Sequence, residues 1–137
     1  MIIRIIEKTE YPKARKLCEA CSYNGGLQDD DLVVMAEDDE FIGAVKICTE
    51  HGEKVLRGMQ IDCARRRKGT GTLVLKFLRE NIDRKDCYCI PYKHLKAFYG
   101  QIGFEEISPA GASCFLAERL TKYSANGLDV MVMKEKT

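Results

Sequence analysis

The 137-residue sequence contains no tryptophan and only three prolines, and neither charge dominates it. Without Trp, and with aromatics at 8%, few rings are available for stacking bases, which argues against a nucleic-acid platform. Three prolines leave no proline-rich linker. Lys+Arg at 22 against Asp+Glu at 21 gives a formal charge of +1, far from the basic excess of a domain that wraps polyanions. Long apolar runs are missing too: Arg4 and Glu7 interrupt the apolar start well short of the ~20 residues a membrane helix needs. No secretory leader pattern is seen, so the expected compartment is the cytoplasm, with no membrane partner. What remains, 45% hydrophobic and 31% charged, fits a single soluble domain over residues 1–137 with a real core.

Cysteine is the exception to this scarcity. Seven cysteines, an odd number, stand in a chain expected to stay reduced. Cys18 and Cys21 form a C-x-x-C inside a helix-like stretch at 11–23. Cys87 and Cys89 form a C-x-C on a predicted strand, where both point to one face. Four thiolates from the two pairs would make a metal site. Small buried hydrophobes are the plainer reading, and no metal is expected.

The elements fall into two regimes. Apolar residues at 2, 3, 5 and 6 predict an opening strand, and 10–23 has helical spacing at Ala14, Leu17, Cys18 and Cys21. Strands at 32–37, 41–49 and 55–62, joined by short turns, predict an antiparallel meander. After residue 65 the pattern alternates. A helix at 72–82, apolar around most of its circumference, is followed by a strand at 87–90, a helix at 94–101 and a strand at 104–107. A further helix at 114–124 and an alternating strand at 128–134 close the chain. Meander first and alternation second predict a mixed α/β sheet with helices on both faces.

The richest segment runs from Met59 to Gly71, as strand, basic loop and helix start. Exposed amides and the positive end of a helix dipole make such a start an anion site, and glycine lets the backbone approach a pyrophosphate closely. Arg66, Arg67 and Lys68 add charge-assisted donors. The P-loop pattern is absent, and the dinucleotide fingerprint fails because Val74 takes its third glycine position. What fits is R-x-x-G-x-G over Arg66, Gly69 and Gly71, with Y-x-x-x-G-F over Tyr99, Gly103 and Phe104 downstream. The two motifs, their separation and the element order resemble the GCN5-related N-acetyltransferases over most of the chain.

That resemblance implies a mostly antiparallel mixed sheet of six or seven strands, with a splayed central pair and helices on both faces. It implies acetyl-coenzyme A as co-substrate, transferred directly to the primary amine of a small molecule or peptide in a ternary complex. Backbone groups of Ile61, Asp62 and Cys63 would hold the pantetheine and the oxyanion. Amides of Arg66, Arg67, Lys68, Gly69, Thr70, Gly71 and Thr72 would hold the pyrophosphate. Tyr99 matches the position of the acid that protonates the departing thiolate.

The general base stays open. The family often places a carboxylate on the central strand, yet residues 55–61 contain none. Asp62 at the strand's end is the candidate, with Glu53 and His94 as alternatives. Cys63 would pass near the thioester but lacks an evident His partner for covalent catalysis. Arg57, lodged in an apolar strand, suits a carboxylate on an acceptor, while Asp29-Asp30-Asp31 would attract a cationic amine. Residues 109–126 form either a wall of the acceptor cleft or a homodimer surface. The alternative function is a non-catalytic acyl-coenzyme A-binding regulatory module on the same fold.

Overall fold

Four antiparallel strands lead the chain, as the meander pattern requires. In the computed structural model, which describes residues 1–20, 31–62, 64 and 69–135, β1 (Ile2–Ile5), β2 (Leu32–Glu37), β3 (Phe41–Glu50) and β4 (Glu53–Ile61) pair in sequence order. β5 (Tyr88–Cys89) then lies parallel to β4, and β6 (Phe104–Glu106) and β7 (Met133–Glu135) complete a seven-stranded sheet in the order β1-β2-β3-β4-β5-β7-β6.

Side-chain alternation divides the core between the two faces. On one face, Val34, Val45, Ile47, Leu56, Cys89 and Met133 pack with α2 (Thr70–Asn81) and with Tyr99 of α3 (Lys96–Gly100). On the other, α1 (Tyr11–Ala20) lays Tyr11, Ala14 and Leu17 on Val33, Met35 and Ala44. α4 (Cys114–Ala125) covers the same face further along, with Leu116 on Val55, Tyr88 and Val132. No helix among the described residues is long and apolar enough to cross a membrane.

Several boundaries move for physical reasons. α2 starts two residues earlier than the pattern at 72–82, because Gly69 sits in the left-handed region at φ 81° and turns the chain into the helix. Its apolar circumference is not all buried: Val74, Leu75 and Leu78 face the sheet, while Leu73 is exposed. The helix at 94–101 is a 3-10 turn over Lys93–Leu95 followed by α3. The strand at 128–134 shrinks to β7, preceded by a lone bridge from Val130 to Tyr92. Met131, Val132 and Met133 alternate between the two faces, but all are buried because both faces are covered.

Arg84 ties this half together. Its guanidinium donates to the carbonyls of Leu78, Ile82 and Ile102 and pairs with Glu135, with both side chains only 10% exposed. The last turn of α2, the α3–β6 connection and the final strand thus converge on one cation.

Candidate active site

β4 and β5 share only two paired positions, Val55 with Tyr88 and Leu56 with Cys89. Beyond them β4 runs on to Ile61, but the segment after β5 reaches Pro91, which has no N–H to give a ladder. The Pro91 carbonyl instead accepts from Met131 N–H at 3.1 Å, so this segment stays with the β7 side. The central pair therefore splays, as expected. β4 is also bulged: three β4 steps from Arg57 to Gln60 match two β3 steps from Lys46 to Ala44.

At the fork lies a cavity of about 160 Å³. Its walls include Leu56 and Arg57 of β4, Cys89, Ile90 and Pro91, Tyr99 of α3, and Arg119 and Tyr123 of α4. Roughly five waters' share of liquid would fill it, room for a reacting group and its nearest substituents. Tyr99 is 8% exposed and its ring meets Phe98 and Phe104 edge-on. Its hydroxyl has no hydrogen-bond partner among the described residues. Burial, with a smaller contribution from Cys89, pushes this phenol well above its ordinary range and keeps it protonated.

The charges around the cavity come from distant parts of the chain. Arg57 alternates onto the face covered by α1 and α4, beside its cross-strand neighbour Lys46. Glu50 of β3 accepts two bonds from Arg119, at 2.9 and 2.8 Å, and a longer one of 3.4 Å from Arg57. Those bonds hold the Glu50 carboxyl below its ordinary range, against the opposing effect of desolvation. Lys46 and Asp31 form a buried pair at 3.7 Å, their side chains 4% and 1% exposed. Asp31 is therefore committed inside the fold, not offered to an incoming amine. Asp29 and Asp30 lie outside the described residues. Lys46, in an otherwise apolar strand, was a readable sign of a buried pair, but its partner was not.

The remaining sequence candidates distribute as follows. The Asp62 N–H donates to the Ile42 carbonyl at 2.8 Å, so it is unavailable as an oxyanion donor. Ile61 stands one step earlier, in register with Gly43 of β3. The Asp62 carboxylate accepts from the Ala64 N–H at 3.1 Å. Asp62 also lines a different groove, of about 510 Å³, with Lys13, Lys16, Glu37, Asp39 and Phe41. The structure does not bring Asp62 and Tyr99 into one cavity. Five residue steps, roughly 17 Å of extended chain, separate Asp62 from Arg57.

His94 is exposed and stacks on Tyr92 at 5.7 Å, away from the cavity wall. The Glu53 carboxylate accepts from the Ser113 hydroxyl. Gly69 gives α2 no side-chain cap, which leaves the first-turn amides of Thr70, Gly71 and Thr72 without an intrahelical partner. Cys63, Arg66, Arg67 and Lys68 lie outside the described residues. No group of three or more metal-ligating side chains gathers among the described residues. Cys18, Cys48, Cys87 and Cys89 are buried, and Cys114 is exposed.

A profile of the Acetyltransferase (GNAT) domain matches residues 10–114. The chain therefore belongs to the GNAT acetyltransferase family. Solved structures of low sequence identity share its fold. A Mycobacterium tuberculosis protein in complex with coenzyme A is 15% identical with a TM-score of 0.72, covering 100% of this chain and 99% of that one. The ribosomal-protein-S18-alanine N-acetyltransferase from Escherichia coli is 14% identical with a TM-score of 0.67, covering 98% and 92%. The aminoglycoside 6'-N-acetyltransferase from Enterococcus faecium is 15% identical with a TM-score of 0.67, covering 98% and 96%. No curated protein sequence matches the chain significantly.

Proposed function

We propose that this chain is a single-domain N-acetyltransferase that moves an acetyl group from acetyl-coenzyme A directly to a primary amine. The observation that carries this reading is buried Tyr99, whose hydroxyl has no partner among the described residues, lining the cavity where β4 and β5 part in a GNAT domain. Similar folds solved with coenzyme A support the choice of co-substrate.

The residues fit that co-substrate. The first-turn amides of α2, opened by Gly69, suit a pyrophosphate, and Arg66, Arg67 and Lys68 supply the charge in the same loop. Ile61, with Asp62 and Cys63 following, edges the gap that would take the pantetheine arm. When bound, acetyl-coenzyme A supplies a thioester carbonyl. Tyr99, held protonated by its surroundings, donates to the departing sulfur and stabilises the charge that develops there. The peptide of Ile61 is the proposed oxyanion donor.

The amine must arrive neutral, although an alkyl ammonium has a pKa of about 10.4. Arg57 and Arg119 line the cavity, and like charge nearby favours the neutral amine. Asp62 is the remaining sequence candidate for the base, and from its groove it would act only through intervening water.

One observation favours a second reading, a non-catalytic acyl-coenzyme A-binding module: no carboxylate lines the cavity among the described residues. Calorimetric titration with acetyl-coenzyme A and coenzyme A, followed by thiol-release assays over a panel of amines, separates the two. One-site binding with turnover supports the enzyme. Binding without turnover selects the module, and no binding removes both.

A further inference from the structure

We propose that the acceptor amine carries a carboxylate and that Arg57 binds it. The proposal rests on the N-acetyltransferase reading and names the substrate class for the same cavity. Its basis is a charge imbalance. Two guanidiniums line the cavity, and Glu50, the carboxylate bonded to both, is held mainly by one of them. Arg119 takes both Glu50 oxygens at 2.9 and 2.8 Å, in the fork-to-fork geometry that makes a strong pair.

Arg57 is left with one long contact, 3.4 Å from a single nitrogen to an oxygen Arg119 already holds. No other hydrogen bond to its side chain is formed among the described residues. A guanidinium has five donors, so most of this one is uncommitted. Nor does its neighbour on the face relieve the imbalance, because Lys46 is matched by Asp31. Among the described residues of this patch, Lys46, Arg57 and Arg119 stand against Asp31 and Glu50.

Arg57 is also held in place. It lies on a strand, cross-paired with Lys46, and its side chain is 28% exposed, so the guanidinium is partly desolvated yet reachable. An anion reaching it would sit in the cavity that Tyr99 also lines. An acceptor with its carboxylate on Arg57 and its amine a few bonds away is thus aimed at the fork where transfer would occur. A second ammonium in that position would meet two guanidiniums, which disfavours polyamines.

The test uses free α-amino acids and their C-terminal amides, pairs that differ in the carboxylate while keeping amine and side chain. Thiol release is followed for the native protein and for Arg57→Gln and Arg57→Lys, with acetyl-coenzyme A binding measured calorimetrically on each. The expected result is kcat/KM at least about tenfold higher for acid than for amide, the scale of one charge-assisted bond. Arg57→Gln should erase that ratio mainly through KM while leaving acetyl-coenzyme A affinity unchanged. Arg57→Lys should restore part of it.

Equal use of acid and amide by the native protein overturns the proposal and leaves the N-acetyltransferase reading standing. So does an undiminished ratio in a folded Arg57→Gln. Binding of acetyl-coenzyme A with no turnover of any acid also overturns it. Absence of acetyl-coenzyme A binding overturns the parent reading, and this proposal with it.

Discussion

Arg119 on α4 grips the carboxylate of Glu50 on β3 with two bonds, 2.9 and 2.8 Å long, across 69 residues of sequence. The pair ties the helix expected only as a wall or an interface to the edge of the candidate active site. It also makes a pH prediction. Arg119 holds the Glu50 carboxyl below its ordinary value in the folded protein. The resulting stability is fully present above the unfolded pKa of about 4.3 and is lost as pH falls through the folded value. Arg119→Gln is therefore expected to cost about 1–2 kcal/mol at pH 7, with the gap closing below pH 4. Urea denaturation of both proteins at pH 7 and pH 3.5 measures it. An equal gap at both pH values would assign the effect to packing rather than charge.

Tyr99→Phe removes the hydroxyl and keeps the ring against Phe98 and Phe104. On the proposed mechanism kcat drops about 100-fold while acetyl-coenzyme A affinity is unchanged. Because burial raises this phenol above its ordinary range, the native enzyme should show no alkaline fall in kcat from Tyr99 up to about pH 10. Steady-state rates across pH, with calorimetry on the variant, check both statements. An unchanged rate in the variant would remove the phenol from the chemistry.

Gly71→Glu probes the proposed pyrophosphate site without breaking the helix. Gly71 is helical, and a Cβ there would sit 3.1 Å from the Phe98 ring edge, a tight contact at one atom. An acidic residue in a first turn favours the helix, so the variant should fold. Its carboxylate would face the same amides as the pyrophosphate and repel it. Loss of acetyl-coenzyme A binding with a retained cooperative melt is expected. Gly69→Ala differs: at φ 81° an alanine costs about 1 kcal/mol, and a drop in Tm is the readout. Undiminished binding in folded Gly71→Glu would refute the assignment of the loop.

The thiols should separate by reactivity. Burial pushes Cys48 and Cys87 up to about 12 and Cys89 well above the ordinary thiol range, so none is a thiolate at neutral pH. Cys114 is exposed. Brief labelling of the native protein with iodoacetamide, read peptide by peptide, should mark Cys114 and spare Cys48, Cys87 and Cys89 until urea is added. Early labelling of Cys89 would mean that the fork opens far more readily than its packing implies.

Much of this was legible in local pattern. The meander over β1 to β4, the glycine-started α2 and the Y-x-x-x-G-F segment over Tyr99 to Phe104 depend on periodicity, turn residues and short spacing. They also place Gly69 at a helix start, where a positive φ admits glycine most readily. Alternation over 128–134 predicts a longer final strand than β7, and Met131, Val132 and Met133 are all buried because both faces are covered.

The sequence by itself determined the order of the elements and the two spaced motifs, because each is written in neighbouring residues. Only the tertiary structure decided which charges meet. Glu50 with Arg119, Lys46 with Asp31 and Arg84 with Glu135 join residues 15 to 69 positions apart, and no local spacing encodes such partners. Tertiary structure also separated Asp62 from Tyr99, because a bulged strand running past the fork carries its last carboxylate to a different groove. The same geometry left Arg57 partly uncommitted beside the Tyr99 cavity, since Glu50, its one carboxylate partner among the described residues, is doubly bonded to another arginine.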